Sequence, residues 1–125
     1  MNIMTYKENR TDMNPKIKKL LPPFIQEAFG KQGYTGDKQM NEIKIICKLF
    51  NPCGVGTFWL YEHVEDDIYM GFCLLNDPSF AEIGTVSLDE LTALKLPLGL
   101  SIERDLHFHV GEKTLEQVWN EVKGR

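Results

Sequence analysis

A chain of 125 residues, 42% hydrophobic and 26% charged, has the size and make-up of one globular domain and leaves no room for two. No apolar run approaches the roughly 20 residues that cross a bilayer, and the polar first residues lack the apolar stretch of a secretory signal, so a cytoplasmic protein without membrane contact is expected. The net charge of −4 is unevenly spread: residues 1–50 carry nine Lys/Arg against five Asp/Glu, whereas residues 51–125 carry five against thirteen.

Residues 1–14 show no periodicity and contain a polar block from Lys7 to Asp12, which predicts a flexible arm ahead of a single domain over 15–125. Pro15 opens a helix that runs to Leu21 and is stopped by Pro22 and Pro23. Its Lys16, Lys18 and Lys19 can touch phosphates, but a solvated helix face is the preferred reading. Phe24 to Phe29 forms a second helical segment, begun by Pro23 and ended by Gly30, and Lys31 to Met40 reads as an exposed loop. From Glu42 the period becomes two. Ile43, Ile45, Cys47 and Leu49 fall on one strand face, with Lys44 and Lys48 on the other. A turn over Asn51–Gly56 leads to a second strand, Thr57 to His63. The polar residues Glu65, Asp66 and Asp67 then make a connection of hairpin length. The third strand, Ile68 to Leu75, is apolar on both faces, as a central strand covered on two sides should be. Ala81 to Val86 is the fourth.

Ser87 starts a helix through a capping box with Glu90, and the helix ends before Pro97. Thr114 and Gln117 form a second capping box. Behind it Leu115, Val118, Trp119 and Val122 make one apolar stripe that stops at Gly124. Consecutive strands with short links predict an α+β fold: a mainly antiparallel sheet of four to five strands, with helices on one face or at its ends.

The three cysteines form no C-x-x-C pair, so no disulfide framework is expected. Cys47 and Cys73 read as buried thiols and Cys53 as exposed. Reactive side chains concentrate in Ile102–His109. In an extended conformation Glu103, Asp105, His107 and His109 share one side, which raises a divalent metal held by His107, His109 and Asp105. Neighbours on one strand face stand roughly 6–7 Å apart, so four cannot share an ion comfortably. An outer, solvated face is preferred, with Ile102, Leu106, Phe108 and Val110 turned inward. A structural alternative has Arg104 pair with a carboxylate and brace the fold. His63 with Glu62, and His107, raise a general-base pair that nothing in the sequence brings together. No nucleophile elbow, zinc-protease or phosphate-loop motif is present, so no catalytic residue is assigned and no cofactor is expected. Phe58, Trp59, Tyr61, Tyr69 and Phe72 could stack bases, but the acidic surroundings favour core packing over direct nucleic-acid binding.

Several blocks resemble one family, domain of unknown function 2958. They are Leu20-Leu21-Pro22-Pro23, Lys48 to Pro52, Thr57 to Glu62, Gly71-Phe72, Glu82 to Leu91 and Pro97 to Leu106, so that the likeness covers about residues 20–108. The arm before Pro15 and the insert-like Phe24–Met40 depart from the family pattern, and His109 is particular to this chain. The resemblance brings no activity and no catalytic residue. It implies the setting of phages, plasmids and conjugative elements, and hence an accessory gene of a mobile element.

The expected function is therefore that of a non-enzymatic binding protein of a phage or mobile element, docking on a host or element protein. The acidic second part motivates a sharper form: a counter-defence inhibitor of anti-CRISPR type, occupying the basic channel of a nucleic-acid-binding partner. Its candidate binding residues are Glu65, Asp66, Asp67, Glu103, Arg104, Asp105 and His107. The alternatives are a metal-dependent or acid–base enzyme built on Glu103, Asp105, His107 and His109, and a purely structural role for Glu103, Arg104 and Asp105 in tying the strand to the sheet.

Overall fold

The computed structural model describes residues 14–124, so the expected arm, apart from Asn14, lies outside the described residues. Asn14 itself is the N-cap of helix α1, Pro15–Leu20. Its side-chain oxygen accepts from Lys16 N at 2.8 Å, and Pro15 fills a first-turn position where an N–H has no intrahelical acceptor. Helix α2 spans Pro23–Gln32. The expected stop at Gly30 does not occur, because an ordinary helical backbone passes through it. The C-cap is Gly33, with φ 64° and ψ −148°, a conformation that residues with a side chain rarely adopt. Gln32, expected in a loop, instead closes the helix and ties it to the sheet. Its Nε2 donates to Lys44 O and Tyr61 O, and its Oε1 accepts from Lys44 N.

The strands are β1 (Cys47–Phe50), β2 (Thr57–Glu65), β3 (Ile68–Leu74), β4 (Glu82–Ser87) and β5 (Glu103–Arg104). They form one antiparallel sheet in the order β4-β3-β2-β1-β5. Alternation along β2 decides how the sheet is covered. Phe58 and Leu60 enter one buried cluster, Trp59 and Tyr61 the other. Fully burying one such side chain contributes roughly 1.5–3 kcal/mol, so a strand apolar on both faces needs cover on both. The first face is covered by Ile17 and Leu21 from the first helical segment, Ile25 and Phe29 of α2, and Leu88 and Leu91 of α3 (Leu88–Ala93). The second is covered by Leu115 and Val118 of α4 (Leu115–Lys123), with the Trp119 ring 5.1 Å from that of Phe72.

The α+β class and the antiparallel sheet of four to five strands thus hold, and β3 is an interior strand, paired on both sides, while β2 is the middle one. One detail differs: the helices divide between the two faces instead of gathering on one. The expected single face of Ile43, Ile45, Cys47 and Leu49 is also corrected. All four are buried, but Ile43 and Ile45 join the α4 side while Cys47 and Leu49 join the other. The switch lies at Ile46 and Cys47, which both stand opposite Leu60 (Ile46 N donates to Leu60 O at 2.8 Å) and both enter the first cluster. An extra residue on one strand shifts the inward parity of what precedes it. The capping box at Thr114 forms with both hydrogen bonds, and Gly124 ends α4 in the left-handed conformation. No helix among the described residues is long and apolar enough to cross a membrane.

Candidate functional site

Two stretches far apart in sequence converge at one corner of the sheet. The β2–β3 hairpin turns through Asp66 and Asp67, with Asp66 at φ 43°, a left-handed position that Asp tolerates better than most residues. Ile68, just after the turn, pairs with Ser87 at the end of β4, which brings the turn against the start of α3. Ser87 is the N-cap of α3, its hydroxyl accepting from Glu90 N at 3.2 Å. The further acceptor at this helix start is Asp67 rather than Glu90. Asp67 Oδ2 accepts from Ser87 Oγ at 2.6 Å and from Asp89 N at 3.2 Å, and Asp67 O accepts from Leu88 N at 2.9 Å. Burial pushes the Asp67 carboxyl up, but the donors Ser87 and Asp89 outweigh it and hold the group below its ordinary value.

The hairpin is braced from behind. His63 Nε2 lies 2.7 Å from Asp66 O; a carbonyl only accepts, so Nε2 carries the proton. The same ring stacks on Tyr69 across the strand pair, centroids 4.4 Å apart. The result is a fixed corner that presents Glu65, Asp66, Asp67, Asp89 and Glu90, all exposed except the half-buried Asp67. Among the described residues the salt bridges are Lys31–Glu27, Lys48–Asp105 and Lys113–Glu121, and none reaches this corner. Glu65, Asp66 and Asp67 were legible as candidates. Glu90 was read as the capping-box partner of Ser87, and neither it nor Asp89 was given a surface role, because nothing in the sequence shows that the hairpin tip folds onto that helix start.

The second candidate segment is rearranged. The extended run over Ile102–His109 is corrected: only Glu103 and Arg104 are strand, and the chain then turns. Asp105 causes the turn, its Oδ1 accepting from His107 N at 2.9 Å and its carbonyl from Phe108 N at 3.2 Å. Glu103, Asp105, His107 and His109 therefore do not share a strand face. Among the described residues no three His, Cys, Asp or Glu side chains are grouped to hold a metal. The inward set Ile102, Leu106, Phe108 and Val110 breaks up with it, since Leu106 is 70% exposed. His109 belongs to the following turn, its N–H donating to Glu112.

Arg104 braces the fold, though not through a carboxylate. Its Nε donates to Leu20 O at 2.9 Å and its guanidinium carbon lies 5.5 Å from the centre of the Phe24 ring. Asp105 makes the ionic contact instead, 3.5 Å from Lys48 Nζ. The Glu62–His63 pair does not assemble either. Glu62 accepts from Thr35 N at 2.9 Å and Thr35 Oγ1 at 2.5 Å, anchoring the loop after α2, while His63 serves the hairpin. Phe58, Trp59, Tyr61, Tyr69 and Phe72 are all buried and present no stacking platform. Cys47 is buried and Cys53 exposed, as expected; Cys73 is half-buried. Burial pushes the Cys47 thiol up to about 12 and the Cys73 thiol up to about 11, which keeps both protonated and unreactive.

A family model described as "Protein of unknown function (DUF2958)" matches residues 20–122. The match runs on from the blocks that carry the resemblance into α4, and it spans the 24–40 segment as well. No curated protein and no solved structure matches the chain.

Proposed function

The chain belongs to the DUF2958 family, and on that premise we propose that it is a non-enzymatic binding protein that docks its acidic corner on a basic surface of a partner protein. The partner is a nucleic-acid-binding protein of the host or of the element that carries the gene. In its sharpest form the protein is a counter-defence inhibitor of anti-CRISPR type, occupying a channel that otherwise holds nucleic acid. The mobile-element setting rests on the family resemblance. The observation that carries the docking surface is the fixed cluster of Glu65, Asp66, Asp67, Asp89 and Glu90, with no cation paired to it among the described residues.

Carboxylates held together by the fold repel one another and keep that repulsion until a cation arrives. A basic partner relieves it, and the same field speeds the encounter and makes it sensitive to salt. Rigidity adds to the case, because a surface already ordered by Ser87, Asp67 and His63 loses little freedom on binding.

The test is capture from host lysate at low and at high salt, using the parent chain and a Glu65→Gln, Asp66→Asn, Glu90→Gln variant that leaves Asp67 in place. The expected result is a basic, nucleic-acid-binding protein retained at low salt, released at high salt and lost with the variant. Capture of no such protein at low salt, or equal capture by the variant, would remove the reading.

A further inference from the structure

A cleft of about 540 Å³ opens between α1, the end of α3 and the chain from Gly99 to Leu106. Lys16 and Lys19 line it from α1, three residues apart and therefore on one helix face, and Arg104 lines it from β5. Glu103 is the single carboxylate residue in the lining. On a chain of net charge −4, three cations around one hollow run against the average. None of the three takes part in a salt bridge among the described residues. Lys16 Nζ donates to Thr92 O at 3.3 Å, a contact that neutralises no charge.

Arg104 is set in advance. The bond from Nε to Leu20 O and the Phe24 ring fix the guanidinium plane, and its Nη groups take no partner among the described residues. Three cations against the one carboxylate of Glu103 leave the hollow net positive, and an anion there relieves the remaining repulsion. A carboxylate is satisfied by one bidentate arginine, whereas a phosphate dianion offers oxygens to several donors at once. The volume falls within the roughly 300–1,000 Å³ of small-molecule sites. Leu100 and Leu106, 38% and 70% exposed, add an apolar wall.

We propose that this cleft binds a phosphate monoester of mononucleotide size, its phosphate held by Lys16, Lys19 and Arg104 and its body lying along Leu100 and Leu106. The site is separate from the acidic corner, and its failure would leave the docking surface untouched. The experiment is amide-shift NMR of the isotope-labelled full chain with AMP and UMP as probes and inorganic phosphate as competitor. Saturable shifts over residues 16–20 and 99–106 are expected, and excess inorganic phosphate should reverse those of Leu100 and Leu106, where the body lies, by displacing the mononucleotide. Lys19→Gln should weaken binding at least about tenfold, since it removes a charge-assisted contact. Lys38→Gln, an exposed charge outside the cleft, should change nothing. Lys19 is exposed, so an unchanged melting temperature shows that the variant is folded. The proposal is overturned if no saturable shift appears by about 10 mM probe, which is weaker than the millimolar end of specific binding. Equal losses in Lys19→Gln and Lys38→Gln would also overturn it, as diffuse electrostatics. So would an oligonucleotide that binds more than about tenfold tighter than either mononucleotide, which would make the cleft a polymer contact.

Discussion

At the residue scale, Asp67 carries more structural weight than a surface carboxylate. One side chain joins the hairpin to the helix start by accepting from Ser87 and Asp89. Its folded pKa lies below the unfolded value of about 3.9. The stability it contributes is thus complete above the unfolded value and is lost as pH falls through the folded one. Ser87→Ala removes both the helix cap and a donor to Asp67, and should lower stability by about 1 kcal/mol near neutral pH. Urea unfolding should show the gap between parent and variant narrowing in acid, as Asp67 protonates in both. A gap unchanged into strong acid would mean that the Asp67 contact contributes nothing. Ser87 was legible as a cap from its spacing to Glu90. Asp67 was not legible as its partner, because hydrogen bonds between residues 20 apart leave no local pattern.

At the element scale, α2 offers a pair of glycines with opposite demands. Gly30 lies within the helix, and nothing stands within 4 Å of a Cβ added there; Gly33 caps the helix at φ 64°. Gly30→Ala should stabilise the protein by roughly 0.5–1 kcal/mol, because it restricts the unfolded chain and adds helix propensity. Gly33→Ala should destabilise it by about 1 kcal/mol or more, since the native backbone is strained for any side chain. Thermal melts of the two variants shifted in the same direction would contradict this reading of the helix end. The sequence could not choose between the two stops. A glycine looks the same whether its φ is negative or positive, and it is Gln32, anchored to Lys44 and Tyr61, that carries the helix past the first. The segment after Ile102 failed for a related reason. Alternation favours a strand only while an edge is there to pair with, and β1 accepts just Glu103 and Arg104 before the Asp105 turn takes over.

At the scale of the whole molecule, two cores share one sheet. Leu60 and Trp59 are neighbours in β2, yet they belong to opposite clusters. Neither core can lose its strands without exposing the other, so unfolding should be a single transition. Trp59 and Trp119 both lie on the α4 side, which gives a local probe of that core, while far-ultraviolet circular dichroism reads helices on both faces. Tryptophan fluorescence and circular dichroism should therefore give coincident urea midpoints, and Leu60→Ala, which opens a cavity on the side away from both tryptophans, should lower the two together by about 2–5 kcal/mol in stability. Separate midpoints would show that the faces fold independently.

The sequence by itself determined the α+β class, the antiparallel hairpins, the two helix caps and the charge imbalance. Each is written in local periodicity or in residues three or four apart, where backbone geometry leaves few choices. Only the tertiary structure decided which carboxylates stand together at the corner, which cations meet at the cleft, and that the histidine segment turns instead of extending. The first two are meetings of residues from 20 to more than 80 positions apart, brought about by strand pairing and by the packing of helices on two faces; the turn is made locally by Asp105, but only the short edge offered by β1 decides that it prevails over an extended run.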